Sequence, residues 1–177
     1  DVDAKALDRA EKQLPRARLS TDLRDFLPEA LCASVVVPAH RHGVVATACL
    51  EAGVHVFCEK PLAPTTAEAR ALAVLADEMK CVLQTGFIYR HHPATRALTG
   101  LVREGAIGRP RALQARFTGF KRPRSDGGCA LNDAIHFVDL AATIFEKPAR
   151  SALAVTRDLL GTGVEDVAFL TFDHGSE

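Results

Sequence analysis

Three short apolar runs, separated by helix-length segments, constrain this chain more than any other feature. Residues 32–38 read CASVVVP, residues 54–58 read VHVFC and residues 81–87 read CVLQTGF. Each is rich in β-branched or aromatic residues and bounded by Gly or Pro, so each is expected to be a buried strand, with 32–38 continuous and covered on both faces. Between them, residues 44–52 read as a helix closed by Gly53. Thr65-Thr66-Ala67-Glu68 is a capping box that opens a second helix ending at Lys80, with Ala69, Leu72, Ala73, Ala76 and Met79 as its core stripe. Residues 3–13 read as a further helix with Ala6, Leu7 and Ala10 on one face. Strands that alternate with helices pair in parallel through right-handed crossovers, which predicts an α/β, Rossmann-like doubly wound sheet.

The rhythm changes after Tyr89. Residues 93–104 read as a helix with Leu98, Leu101 and Val102 inward, ended by Gly105 and Gly108. Residues 111–118 then alternate, Leu113, Ala115 and Phe117 against Gln114, Arg116 and Thr118, the pattern of a half-exposed antiparallel strand. Two more strands, 151–160 and 167–173, follow a helix over 131–145. A boundary near Phe87 therefore divides a parallel α/β unit, 1–87, from an α+β unit, 88–177, with a largely antiparallel sheet.

Chemistry is expected outside the carboxyl ends of parallel strands, where the central run delivers Glu59-Lys60-Pro61. Lys60-Pro61 is the kind of bond that adopts the cis form cheaply, in a turn that directs the ammonium sideways into a crevice. A solvated ion pair is the alternative. On the helix over 131–145, Asn132, His136, Asp139 and Thr143 fall at i, i+4, i+7 and i+11, with Asp133 beside them, on an otherwise apolar surface. Short Asn, Asp and His in place of Lys and Glu suggest a lined crevice instead of a wet face. Histidine suits proton transfer near neutral pH, and a carboxylate three residues earlier can orient its ring.

Composition excludes other classes. Acidic and basic residues balance at 22 each, so no overall field recruits nucleic acid or a membrane surface. The five cysteines have no CxxC spacing, which fits reduced thiols in the cytoplasm. His40 and His42 lack an acidic third ligand nearby, so no metal site is expected.

Pro38-Ala39-His40-Arg41-His42, Glu59-Lys60-Pro61, Gly86-Phe87-Ile88-Tyr89-Arg90, and Gly127-Gly128 leading to Asn132-Asp133-Ala134-Ile135-His136 occur in one order. As a set they resemble the glucose-fructose oxidoreductase, inositol dehydrogenase and rhizopine catabolism family (Gfo/Idh/MocA). The resemblance implies an NAD- or NADP-dependent oxidoreductase acting on a sugar, cyclitol or sugar nucleotide. Lys60 and His136 would be catalytic, with Asp133 assisting. Asp1, Pro38, His42, Glu59 and Lys60 would meet the cofactor, with Asp3 an alternative to Asp1. Either acid also reads as an exposed terminus or helix cap, and His42 as a neighbour of a helix start. Lys60, Tyr89, Arg90, Asn132 and His136 would surround the substrate. The resemblance also implies a short helix ending near Leu27 and a homo-oligomer formed through the second-domain sheet.

Two departures stand out. The family's glycine-rich GxGxxG turn is absent, as though the chain began at the end of the second strand, so the sequence reads as truncated at both ends. Asn132 stands where many members carry Asp. These leave open a non-catalytic dinucleotide-sensing or interaction module, and redox-assisted glycoside cleavage also lies within the family's range. The basic loop with Lys121, Arg122 and Arg124 reads as a solvated loop or as a lid that meets a substrate phosphate.

Overall fold

The structure, a computed structural model, describes residues 1–119 and 127–175. Helix α1, Ala4–Gln13, is capped by Asp3, whose side chain accepts the Lys5 amide at 2.9 Å. In place of a helix ending near Leu27 there are two 3₁₀ turns, Leu23–Asp25 and Leu27–Glu29. Three parallel strands follow, β1 (Cys32–Val35), β2 (His55–Cys58) and β3 (Leu83–Thr85), in the spatial order β1-β2-β3. Helix α2, His42–Glu51, joins the first two and helix α3, Thr66–Glu78, the second pair. The two helices pack against each other.

The core sits between this sheet and these helices. Val35, Val56 and Cys58 of the sheet meet Ala46, Cys49 and Leu50 of α2 and Leu72 and Ala76 of α3, all buried. The α3 stripe is narrower than its sequence suggests, because Ala73 and Met79 face outward. Gly53, at φ +77°, makes the left-handed turn out of α2 that only glycine takes without cost.

The outer strands are shorter and more exposed than expected. The β1–β2 register runs from Cys32↔His55 to Val35↔Cys58, and the Glu59 amide adds a last bond to the Val35 carbonyl. Beyond that point the β2 chain turns away at Pro61. Val36 consequently leaves the ladder and is 68% exposed. β3 likewise contributes only three residues, of which Gln84 is exposed.

Helix α4, Pro93–Arg103, exposes Leu98 and Leu101. Residues 111–118, read as an antiparallel strand, belong to no sheet among the described residues and are exposed throughout. Alternation specifies two faces, but a strand also needs a ladder partner, and β4 (Ser151–Arg157) and β5 (Val167–Asp173) pair with each other. The predicted 131–145 helix is real but begins irregularly: a π-helical turn, Ala130–Ala134, leads into α5, Ile135–Phe145. Among the described residues, the chain thus forms a three-stranded parallel, Rossmann-like sheet with helices, followed by a helical segment and a two-stranded antiparallel sheet. No helix among the described residues is long and apolar enough to cross a membrane.

Candidate active site

The exits of β1 and β2 enclose a crevice of about 360 Å³ lined by Val36, Val37, Pro38, Ala39, His42, Glu59, Lys60 and Asn132. β1 delivers the first group and β2 delivers Glu59 and Lys60, as the carboxyl-end rule requires. Gly86, at the exit of β3, lies so near that a Cβ there would come within 3.2 Å of the Phe57 ring and 3.4 Å of Glu59 Cα. The Lys60–Pro61 peptide is cis.

Asn132 arrives from the other half of the sequence. The Lys60 ammonium donates to its backbone carbonyl at 2.5 Å across 72 residues of chain, while the Asn132 amide side chain donates to the Gly127 carbonyl at 2.7 Å. The π-helical turn that presents this carbonyl is held at its start by Glu165. That residue's carboxylate accepts the Ala130 amide at 3.0 Å and its backbone carbonyl accepts the Cys129 amide at 2.9 Å. Nothing in the sequence around Glu165 signals this role.

His42 is fully buried, with Nδ1 2.6 Å from the Pro61 carbonyl and Nε2 2.9 Å from the Val37 carbonyl. Expected beside a cofactor ribose, it spends both ring nitrogens on the backbone, tying the β1 exit to the turn after Lys60. The same commitment removes it as a metal ligand.

His136 is 8% exposed. Tyr89 stacks on its ring, centroids 4.4 Å apart at 21°, and Phe87 meets it edge-on at 6.4 Å. Burial in this aromatic setting, and then the Lys60 ammonium, hold its pKa below the usual histidine value; the Asp139, Glu59 and Asp133 carboxylates act in the opposite sense. Its Nδ1 is sealed from solvent and makes no hydrogen bond. Asp133, expected to orient the ring, makes no hydrogen bond to that nitrogen and bears on the imidazole through its charge.

Arg90, expected against substrate, instead donates from Nε to Asp139 Oδ2 at 2.7 Å and from Nη2 to Oδ1 at 2.5 Å. Two of its three guanidinium nitrogens donate to this carboxylate, which raises its pKa further. Asp1 lies apart from the crevice lining, its carboxylate accepting the Asp3 amide at 3.0 Å. The loop with Lys121, Arg122 and Arg124 lies outside the described residues. Glu165 was not singled out in the sequence, and Asp139 was named there only as a member of the polar stripe it shares with His136.

Comparison with known proteins gives these contacts a context. Residues 3–87 match the model of an oxidoreductase family with an NAD-binding Rossmann fold (GFO_IDH_MocA), and residues 95–177 match the C-terminal domain model of the same family. A 1,5-anhydro-D-fructose reductase from Ensifer adhaerens is 34% identical over 149 residues, 78% of this chain and 44% of that protein. A UDP-N-acetylglucosamine 3-dehydrogenase from Acidithiobacillus ferrooxidans is 37% identical over 126 residues, 71% of this chain and 39% of the relative. The chain thus spans less than half the length of these curated relatives. Among solved structures, the WlbA dehydrogenase of Chromobacterium violaceum, in complex with NADH and UDP-GlcNAcA, superposes with a TM-score of 0.82 at 27% identity, over 97% of this chain and 54% of that one. Matched along both halves of its length, the chain belongs to the Gfo/Idh/MocA family of oxidoreductases.

Proposed function

We propose that this chain carries the reacting centre of an NAD(P)-dependent oxidoreductase that transfers hydride between nicotinamide and a carbinol or carbonyl carbon of a sugar, cyclitol or sugar nucleotide. The observation that carries the reading is the convergence of a lysine ammonium at the β2 exit with a buried imidazole of lowered pKa on α5. The lowered pKa keeps His136 neutral near pH 7, so it can take the hydroxyl proton as the carbinol is oxidised. Lys60 holds positive charge toward the same oxygen and stabilises its developing negative charge. Nicotinamide, when bound, supplies the hydride acceptor or donor.

The exposed apolar Val36 and the crevice floor at Pro38 and Glu59 suit the flat nicotinamide end, with His42 fixing that floor and Asp1 the candidate for a ribose hydroxyl. The sequence contains no GxGxxG turn to cradle the pyrophosphate. Tyr89 and Asn132 would border the substrate, and Asp133 would add negative charge near His136. The relatives' names and the NADH-bound neighbour favour NAD and sugar or sugar-nucleotide substrates. We also read residues 1–87 and 88–177 as the two domains. The five free thiols fit a cytoplasmic protein. A homo-oligomer would cover the exposed Leu153, Val155 and Phe169 side chains of β4 and β5.

The test is a titration with NADH and NADPH followed by nicotinamide fluorescence, then turnover of oxidisable sugars by the full-length enzyme and its Lys60→Met and His136→Asn variants. Saturable binding with turnover lost in both variants is expected. Unchanged turnover in either would refute the assignment, and binding without any turnover would favour the sensing role.

A further inference from the structure

Catalytic histidines are commonly oriented by a hydrogen bond to their second nitrogen, yet the His136 ring has none: Nδ1 is buried and without a partner. Something else must fix the plane of a ring expected to exchange protons at a defined position. The candidates are the groups that touch it, Tyr89 in a stack and Phe87 at its edge.

Both rings belong to the segment that leaves β3, residues 87–91, which forms only a single 3₁₀ turn, Ile88–His91. A short turn has too few internal bonds to hold a tyrosine ring in register with a helix. The segment is attached to α5 by the bidentate Arg90–Asp139 pair, 49 residues apart in sequence. Asp139 lies one helical turn beyond His136, so the pair and the stack hold the same stretch of α5 from the same side. The Asp139 side chain is only 7% exposed, while Arg90 is half exposed and passes over the Phe87 ring at 5.9 Å. A buried carboxylate that accepts two guanidinium bonds is a strong, directional joint, unlike the usual surface ion pair.

We propose that Arg90 and Asp139 are positioning residues: their bridge clamps the turn that carries Tyr89 onto α5, and the stacked Tyr89 ring then sets the orientation of His136 in place of a hydrogen-bonding partner. The proposal rests on the reading of His136 as the proton carrier for its functional meaning, and on geometry alone for the clamp. The charged groups that face the imidazole are Lys60 and Glu59 from the β2 exit, and Asp133 and Asp139 from its own helical stretch. Opening the clamp leaves Asp139 unpaired beside the ring and lets water reach it, and both changes favour the imidazolium.

NMR of the His136 ring tests the clamp without reference to activity. In the wild-type protein the His136 ring protons are expected to resonate upfield, under the Tyr89 ring, and to show cross-relaxation to it. Arg90→Met is expected to abolish the upfield shift as fully as Tyr89→Leu does and to move the His136 titration midpoint upward. Arg90→Lys, which keeps the charge but not the fork, should recover only part of the shift. Arg90→Met with an unchanged ring shift and midpoint, in a variant that still melts cooperatively, overturns the proposal. Where that variant does not fold, the wild-type protein decides: a slowly exchanging Arg90 Nε–H supports the clamp, and a freely exchanging one overturns it. A displaced ring with turnover of the full-length enzyme unchanged would leave the clamp standing and refute the catalytic role of His136 instead.

Discussion

Replacing His42 is the most direct probe of how the crevice is held. The two ring nitrogens of His42 face the Pro61 carbonyl at 2.6 Å and the Val37 carbonyl at 2.9 Å, and at least one of these carbonyls receives a ring hydrogen. His42→Ala leaves that buried acceptor unpaired, at about 1–3 kcal/mol, and opens a void in a fully buried site, adding about 2 kcal/mol. The total of about 3–5 kcal/mol is a large share of the roughly 5–15 kcal/mol that stabilises a typical domain. For a chain of this size each kcal/mol lowers Tm by about 2–4 °C, so calorimetry or thermal CD should find a fall of roughly 6–20 °C. His42→Leu fills most of the space and keeps only the lost hydrogen bond, about 1–3 kcal/mol. Because Pro61 follows Lys60 directly, both variants should also weaken NADH binding. A His42→Ala protein that melts within about 2 °C of wild type would refute the accounting, since neither the unpaired carbonyl nor the void could then be costing what burial implies.

Three further outcomes are expected. Removing the Glu165 carboxylate in Glu165→Ala should cost about 0.5–2 kcal/mol in urea unfolding, the usual range for a lost helix-start cap. Gly128→Ala should cost about as much, because its Cβ would push the flexible Glu165 carboxylate off the Ala130 amide, and it should cost little more in the Glu165→Ala background. The pH dependence of stability follows from His136, whose folded pKa lies below the ordinary 6.5. Below about pH 6.5 the unfolded chain binds this proton and the folded one does not, so stability falls with pH until the folded pKa is passed. His136→Gln should flatten that slope, and an unchanged slope by urea titration at several pH values would remove His136 as its source. Burial, with the Glu59 and Cys49 charges adding to it, pushes the Cys58 thiol up to about 11. A thiol reagent at pH 8 should therefore label exposed Cys32 quickly and Cys58 only on unfolding, as mass spectrometry of the modified peptides would report.

Much of the architecture was legible in the order of residues. Apolar runs set the three parallel strands, the Thr65 and Gly53 signals set helix limits, and the ordered motifs around Pro38, Lys60, Tyr89 and His136 named the family and the crevice. Strand lengths were not legible. Val36 and Val37 continue an apolar run perfectly well, but the ladder ends where β2 turns away. The same holds for residues 111–118, where alternation is present and, among the described residues, a ladder is not.

The sequence by itself determined which faces are apolar, where turns fall and which polar residues stand out against an apolar background, because these follow from local periodicity and backbone preference. Only the tertiary structure decided what those polar residues do. It joined Lys60 to the Asn132 carbonyl, set both His42 nitrogens against backbone carbonyls, placed Glu165 at the start of the π-helical turn and paired Arg90 with Asp139. These are pairings between residues 5 to 72 positions apart. A hydrogen bond forms only within a few tenths of an ångström of its proper length, and that precision arises from the packing of whole elements, which no local pattern of residues encodes.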